Sequence, residues 1–154
     1  NRRYLTEAGS KEIIRCQRNK LSLALIMLDI DKFKFINDNY GHDVGDQCII
    51  KTTEICHNSI RDIDILGRIG GEEFAILLPD KNIHDASLVA ERIRSNIEAQ
   101  SMNFNEMHFH ITVSIGISII NKKEEQVDSI QKMLLRADQK LYQAKNNGRN
   151  QIVY

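Results

Sequence analysis

Arg68-Ile69-Gly70-Gly71-Glu72-Glu73-Phe74-Ala75-Ile76-Leu77-Leu78-Pro79 is the stretch from which the fold can be read. A short apolar run reaches two glycines, two carboxylates follow, and a second apolar run leaves. Two strand-like runs about a Gly-Gly turn predict a β-hairpin, with the glycines expected to supply positive φ at the tip. Adjacent carboxylates at a tip repel unless a cation is present. A solvated turn is the plainer reading of the tip alone; a metal site needs another carboxylate nearby.

That carboxylate closes the run from Leu21 to Asp31, nearly continuous in apolar residues and ending in Asp29-Ile30-Asp31. A run apolar on both faces predicts a central, doubly covered strand over roughly 21–30. If it pairs with the hairpin, Asp29 and Glu72 converge. Hard oxygen donors of this kind suit Mg²⁺ or Mn²⁺, the usual companions of nucleoside triphosphates. Asp31 is expected to cap the next helix rather than to be a second metal ligand.

Working outward, 2–19 predicts a helix weakened at Gly9-Ser10, and 46–60 another. Between the central strand and that second helix, Asn37 to Asp46 is so rich in turn formers that it predicts a polar loop, with His42 a structural loop residue. A helix after Pro79 carries Ala86, Val89, Ala90, Ile93 and Ile97 at helical spacing, a core stripe. The alternation from Phe109 to Ile119 predicts one half-buried strand. His108 and His110 lack a third ligand and are expected at the surface. Lys122-Lys123-Glu124-Glu125 predicts a solvated loop. Ile130 to Ala144 predicts the last helix, stopped at Asn146-Asn147-Gly148 before a terminal strand at Ile152-Val153. The order predicts an α/β (α+β) fold: a mixed, largely antiparallel sheet flanked by helices, like the palm-type core of nucleotide cyclases and polymerases.

The 154 residues suit one domain spanning 1–154. Lysine plus arginine and aspartate plus glutamate number 21 each, so no overall basic field points to nucleic acid or to a membrane surface. Cys16, Cys48 and Cys56 form no CxxC pair, which argues against a disulfide framework or a zinc site and fits a reducing cytoplasm, each acting as a small apolar filler.

Gly70-Gly71-Glu72-Glu73-Phe74 resembles the signature of GGDEF-type diguanylate cyclases, in its Glu-for-Asp variant. Asp29-Ile30-Asp31-Lys32-Phe33-Lys34, Ile36-Asn37-Asp38, Gly41-His42, Gly45-Asp46, Thr112 to Gly116, Ala137-Asp138, Leu141-Tyr142, Ala144-Lys145 and Gly148-Arg149-Asn150 resemble the family in the same order, over nearly the whole chain. The family's usual Asp-x-Leu-Thr-Gly-Leu segment does not precede Asn1-Arg2-Arg3, so a cytoplasmic domain trimmed from a longer signalling protein, with or without a membrane tether, is expected.

The resemblance implies an enzyme that joins two GTP into cyclic di-GMP. It implies two Mg²⁺ or Mn²⁺ per half-site, held by Asp29, the Ile30 carbonyl and Glu72, with Glu73 as a further ligand or a proton acceptor. Asn37 and Asp46 are implied to read guanine, since an aspartate accepts from N1–H and the 2-amino group. Phe33, Lys34, Gly70 and Gly71 are implied to line the substrate site. Lys145 and Arg149 would clamp the β- and γ-phosphates; a favourable charge at a helix C-terminus is the ordinary alternative. One base pocket per domain implies a homodimer of half-sites. Arg61 and Asp64 fit an Arg-x-x-Asp site for inhibitory product, against the ordinary reading of an ion pair. Rival readings are an inactive GTP- or cyclic di-GMP-binding regulatory domain, a cyclase or polymerase with another product, and an interaction domain.

Overall fold

The central strand forms because its side chains from Leu23 to Leu28 are apolar on both faces. In the computed structural model, which describes residues 1–104, 106–120 and 128–154, β1 (Leu23–Ile30) is buried at every position. It pairs antiparallel with β3 (Glu73–Pro79) on one side and with β6 (Val113–Ile120) on the other. β2 (Ile65–Arg68) extends the sheet beyond β3 and β7 (Ile152–Val153) runs parallel to β6, giving the order β2-β3-β1-β6-β7. The mixed, largely antiparallel sheet flanked by helices is the architecture expected.

Alternate strand residues feed two cores. On one face Leu23, Leu25, Met27, Ala75 and Leu77 pack with Leu5, Ile13 and Cys16 of α1 (Arg2–Arg18) and Ile130, Met133, Ala137 and Leu141 of α5 (Ile130–Asn146). On the other, Ile26, Leu28, Phe74 and Ile76 meet α2 (Phe33–Tyr40), α3 (His42–Asn58) and α4 (Ile83–Ala99) through Ile36, Cys48, Cys56, Ala90 and Ile93. All three cysteines are free and buried, and burial pushes the Cys48 thiol up to about 11 and the Cys56 thiol to about 12, so both behave as fillers.

Four expectations need correction. Residues 37–46 are not a loop: α2 runs to Tyr40, and Gly41 alone, at φ +90, separates it from α3. Burial of Ile36, Val44 and Cys48 outweighs the turn-forming side chains, because packing of an apolar face outranks propensity.

The strand read as 109–119 breaks at Ile111-Thr112. Its first part, β5 (Met107–His110), makes a separate hairpin with β4 (Ser101–Phe104). Its second part, β6, is buried on both faces except at Ile119. The small residues there are contact points: the Ser118 hydroxyl donates to the Met133 carbonyl at 2.8 Å, and a Cβ on Gly116 would overlap the α5 backbone at Ala137 and Leu141.

Gly70 and Gly71 are not among the positive-φ residues. Gly70 leaves room for the Glu73 side chain instead: a Cβ there would overlap Glu73 Oε2, whereas one on Gly71 meets nothing within 4 Å. Asp31 caps no helix: α2 starts after Lys32, at φ +55, with no side-chain cap. The expected loop at 122–125 lies outside the described residues. Among the described residues no helix is long and apolar enough to cross a membrane.

Candidate functional site

The site lies where β1 and β3 end together. Register sets Asp29 opposite Glu73 on one side and Ser114 on the other. The Ile30 N–H reaches the Glu72 carbonyl at 3.4 Å, so the main chains carrying Asp29, Ile30 and Glu72 run side by side. Arg68 braces the tip, its Nε donating to the carbonyls of Gly70 (3.2 Å) and Gly71 (2.9 Å). The predicted convergence of Asp29 with the Gly-Gly-Glu-Glu tip is therefore built into strand pairing.

Electrostatically the cluster is short of positive charge. Asp29 is buried, and Lys145, from the end of α5, lies 2.8 Å from its Oδ2. Burial pushes the Asp29 carboxyl up to about 6; Lys145 pulls the other way, while Glu72 and Glu73 add to the rise. One ammonium does not offset burial and two neighbouring carboxylates. Among the described residues no three His, Cys, Asp or Glu side chains gather as a ready-made metal site. Two carboxylates and the Ile30 carbonyl are nevertheless a fitting partial donor set for a hard divalent cation, which routinely completes its shell with water and phosphate oxygens. Lys145, expected on phosphates, rests here on a carboxylate.

The residues assigned to the base gather on the opposite layer. Asn37, on α2, points its Oδ1 at Gly45 of α3 so closely that a Cβ there would overlap it, and Phe33 Cζ lies 3.2 Å from the same point. Asp46 follows Gly45 directly and is exposed, as is Lys34. Phe33, Asn37 and Gly45-Asp46 thus form one cluster because Gly45 has no side chain. Arg149 is exposed on the loop after α5, at φ +66.

Arg61 and Asp64 stand apart. Both Asp64 oxygens are held by Arg61: Nη2 at 2.8 Å and Nε at 3.2 Å, with the Arg61 N–H at 2.8 Å. Arg61 Nη2 also donates to the Pro79 carbonyl at 2.9 Å. The Asp64 side chain is 1% exposed and that of Arg61 44%. The ion-pair reading is the one seen here, with Asp64 spent on orienting Arg61. The pair borders a cavity of about 330 Å³ shared with Tyr4 and His57. His108 and His110 are exposed and contact the Asn103 side chain and the Glu98 carbonyl separately.

Sequence reasoning missed the group that ties the site together. Asp31 is buried and accepts from the Thr112 hydroxyl at 2.6 Å, the Ser114 hydroxyl at 2.6 Å and the Asn150 N–H at 3.1 Å. Its partners lie 81 to 119 residues away, beyond any local pattern. The alternation Thr112-x-Ser114 was the only available signal.

Comparison with known proteins places this arrangement. The family model described as diguanylate cyclase, GGDEF domain, matches residues 1–151. Diguanylate cyclase A of Treponema denticola is 41% identical over 86% of this chain and 35% of its own length. The response regulator PleD of Caulobacter vibrioides is 36% identical over 99% and 34%. The chain thus spans about a third of the length of these curated relatives. Among solved structures, the active GGEEF domain of a diguanylate cyclase from Vibrio cholerae superposes with TM-score 0.91 at 36% identity, covering 99% of this chain and 95% of that one. The GGDEF domain of DgcB from Caulobacter crescentus, in complex with c-di-GMP, gives 0.92 at 28% identity, covering 99% and 89%. With the signature at the hairpin tip, the facing aspartate on the central strand and the match along the chain in agreement, this chain belongs to the GGDEF-domain diguanylate cyclase family.

Proposed function

We propose that the chain condenses two GTP molecules into cyclic di-GMP, releasing two pyrophosphates, with two copies facing each other. The carrying observation is the register Asp29↔Glu73 beside Glu72, a charge-deficient carboxylate cluster at the open end of the sheet. The names of the relatives supply the substrate class.

Each 3′-hydroxyl oxygen forms a bond to the α-phosphorus of the other nucleotide, and the bond from that phosphorus to the bridging oxygen of pyrophosphate breaks. Charge builds on the phosphoryl oxygens, so positioning and positive charge dominate the barrier. Mg²⁺ or Mn²⁺ held by Asp29, the Ile30 carbonyl and Glu72 would polarise the phosphate and acidify the hydroxyl. Glu73 borders a cavity of about 370 Å³ between the tip and α5, which suits it to take the hydroxyl proton from a nucleotide brought by the other copy. Lys145 and Arg149 supply cationic charge for the β- and γ-phosphates. Asp46 and Asn37 accept and donate at the guanine edge; adenine lacks the N1–H and 2-amino donors. One such cluster per chain holds one GTP, which is why two chains are needed. Cyclic di-GMP is proposed to bind back at the cavity beside Arg61, where the half-exposed guanidinium offers a face for a guanine.

Pyrophosphate release tests the reading. One pyrophosphate should appear per GTP consumed, only with Mg²⁺ or Mn²⁺, and no orthophosphate should form. Orthophosphate as the product would mean hydrolysis, and no consumption of GTP would mean a binding domain.

A further inference from the structure

The loop that carries Arg149 is held in a conformation that side chains resist. Gly148, Arg149 and Asn150 follow one another at φ +113, +66 and +46. Two consecutive non-glycine residues in the left-handed region persist only where surrounding contacts impose it. Those contacts converge on Asn150. Its N–H donates to Asp31 Oδ2 at 3.1 Å. Its side-chain Oδ1 accepts from Arg94 Nη1 at 2.7 Å, and its Nδ2 donates to Glu98 Oε1 at 2.7 Å. Arg94 is itself braced by Glu91 and Glu98 along α4. Asn150 is thus tied to α4 through its side chain and to the end of β1 through its main chain.

Among the described residues Asp31 makes the second tie with no cationic side chain beside it, and it caps no helix. It is buried and receives three donors: the Thr112 hydroxyl just before β6, the Ser114 hydroxyl within it and the Asn150 N–H. It follows Asp29 and Ile30, the two β1 residues assigned to the metal. The position of the Arg149 loop is therefore set directly from the strand end that carries the proposed chemistry. Arg149 stays exposed and, among the described residues, enters no ion pair.

We infer that Asp31 and Asn150 are positioning residues, a clasp that holds the exposed Arg149 guanidinium at a fixed place beside the metal-binding end of β1 so that it meets the triphosphate of the bound nucleotide. This rests on the GTP reading above. It gives Asp31 a role that depends on its shape and acceptors, not on its charge.

That distinction is testable. An asparagine at 31 can keep its oxygen toward Thr112 and the Asn150 N–H while its amide donates to Ser114, whose hydroxyl can turn to accept. An alanine can do neither. The probe is 3′-deoxy-GTP with Mg²⁺, which lacks the attacking hydroxyl, compared with GMP, which lacks the outer phosphates. In Asp31→Ala, affinity for 3′-deoxy-GTP should fall about tenfold, as expected for losing a charge-assisted contact, with GMP within about twofold. Asp31→Asn should stay near wild type. Asn150→Ala, which spares Asp31, should show the same split as Asp31→Ala and keeps the test available if that variant fails to fold. Amide exchange at Asn150, read without nucleotide, should be slow in wild type and in Asp31→Asn and fast in Asp31→Ala.

Equal losses for Asp31→Asn and Asp31→Ala would overturn the inference by showing that the charge matters, as for a metal ligand. Equal losses of both nucleotides, or no loss of either, would also overturn it. If wild type itself does not prefer 3′-deoxy-GTP to GMP, the GTP reading fails and the positioning role with it, whereas a failure confined to the variants leaves that reading standing.

Discussion

Gly45→Ala separates the base cluster from the stability of the fold. Gly45 lies inside α3, so alanine should gain about 0.8–1 kcal/mol of helix propensity. Its Cβ would overlap Asn37 Oδ1 and reach within 3.2 Å of Phe33 Cζ. Asn37 is the end of a short, half-buried polar side chain, so it can rotate away; an off-rotamer position costs about 0.5–1.5 kcal/mol. The two terms nearly cancel, and the melting temperature should move by no more than a few degrees. Guanine recognition should not survive the rotation. Losing one or two neutral hydrogen bonds, each worth about 0.5–1.5 kcal/mol, should weaken GTP binding by a factor of about 2 to about 160. ATP, which makes no use of Asn37 in this account, should bind as before. The assay is thermal unfolding together with equilibrium binding of each nucleotide with Mg²⁺. Unchanged discrimination between GTP and ATP in a folded Gly45→Ala protein would refute the assignment of Asn37 to the base.

Further expectations follow from the same contacts. Gly116→Ala should cost about 1–3 kcal/mol or more, read by denaturant unfolding, because its Cβ meets α5 backbone that cannot rotate away; a neutral result would contradict the close packing of α5 on β6. Glu72→Gln should leave the melting temperature unchanged and abolish Mg²⁺-dependent turnover; near-normal turnover would remove Glu72 from the site. Arg61→Ala should relieve inhibition by cyclic di-GMP and also cost about 1–3 kcal/mol, since it leaves the buried Asp64 with the Arg61 N–H as its remaining donor; full inhibition in a folded variant would sink the product site. Turnover per chain should fall on dilution as dimers separate, and a flat profile with monomers confirmed would contradict the facing half-sites.

What was legible in the sequence is what local pattern carries. β1 showed itself because a strand covered on both faces has no polar alternation, and α4 and α5 because their buried stripes repeat at helical spacing. The convergence of Asp29 with the hairpin followed from pairing those two strands. Residues 37–46 misled because Asn37, Asn39, Gly41 and Gly45 look like turn residues, yet Gly41 makes only the joint and Gly45 serves Asn37. The small residues of β6 looked like a wet face and are instead the seats of a close helix, a distinction that needs the partner helix in view. Asp31 looked like a cap because caps are local, while its real partners arrive from β6 and from the end of the chain. The Arg61–Asp64 pair was visible as spacing, but its burial and its bond to Pro79 were not.

The most direct test is the mass of the nucleotide formed when the purified protein is incubated with GTP and Mg²⁺. The expected product is a cyclic dinucleotide of two guanosine monophosphate units, formed with pyrophosphate and absent without the metal. A monomeric cyclic nucleotide, a linear polymer, GDP, or unchanged GTP under conditions where the protein is folded and dimeric would contradict it.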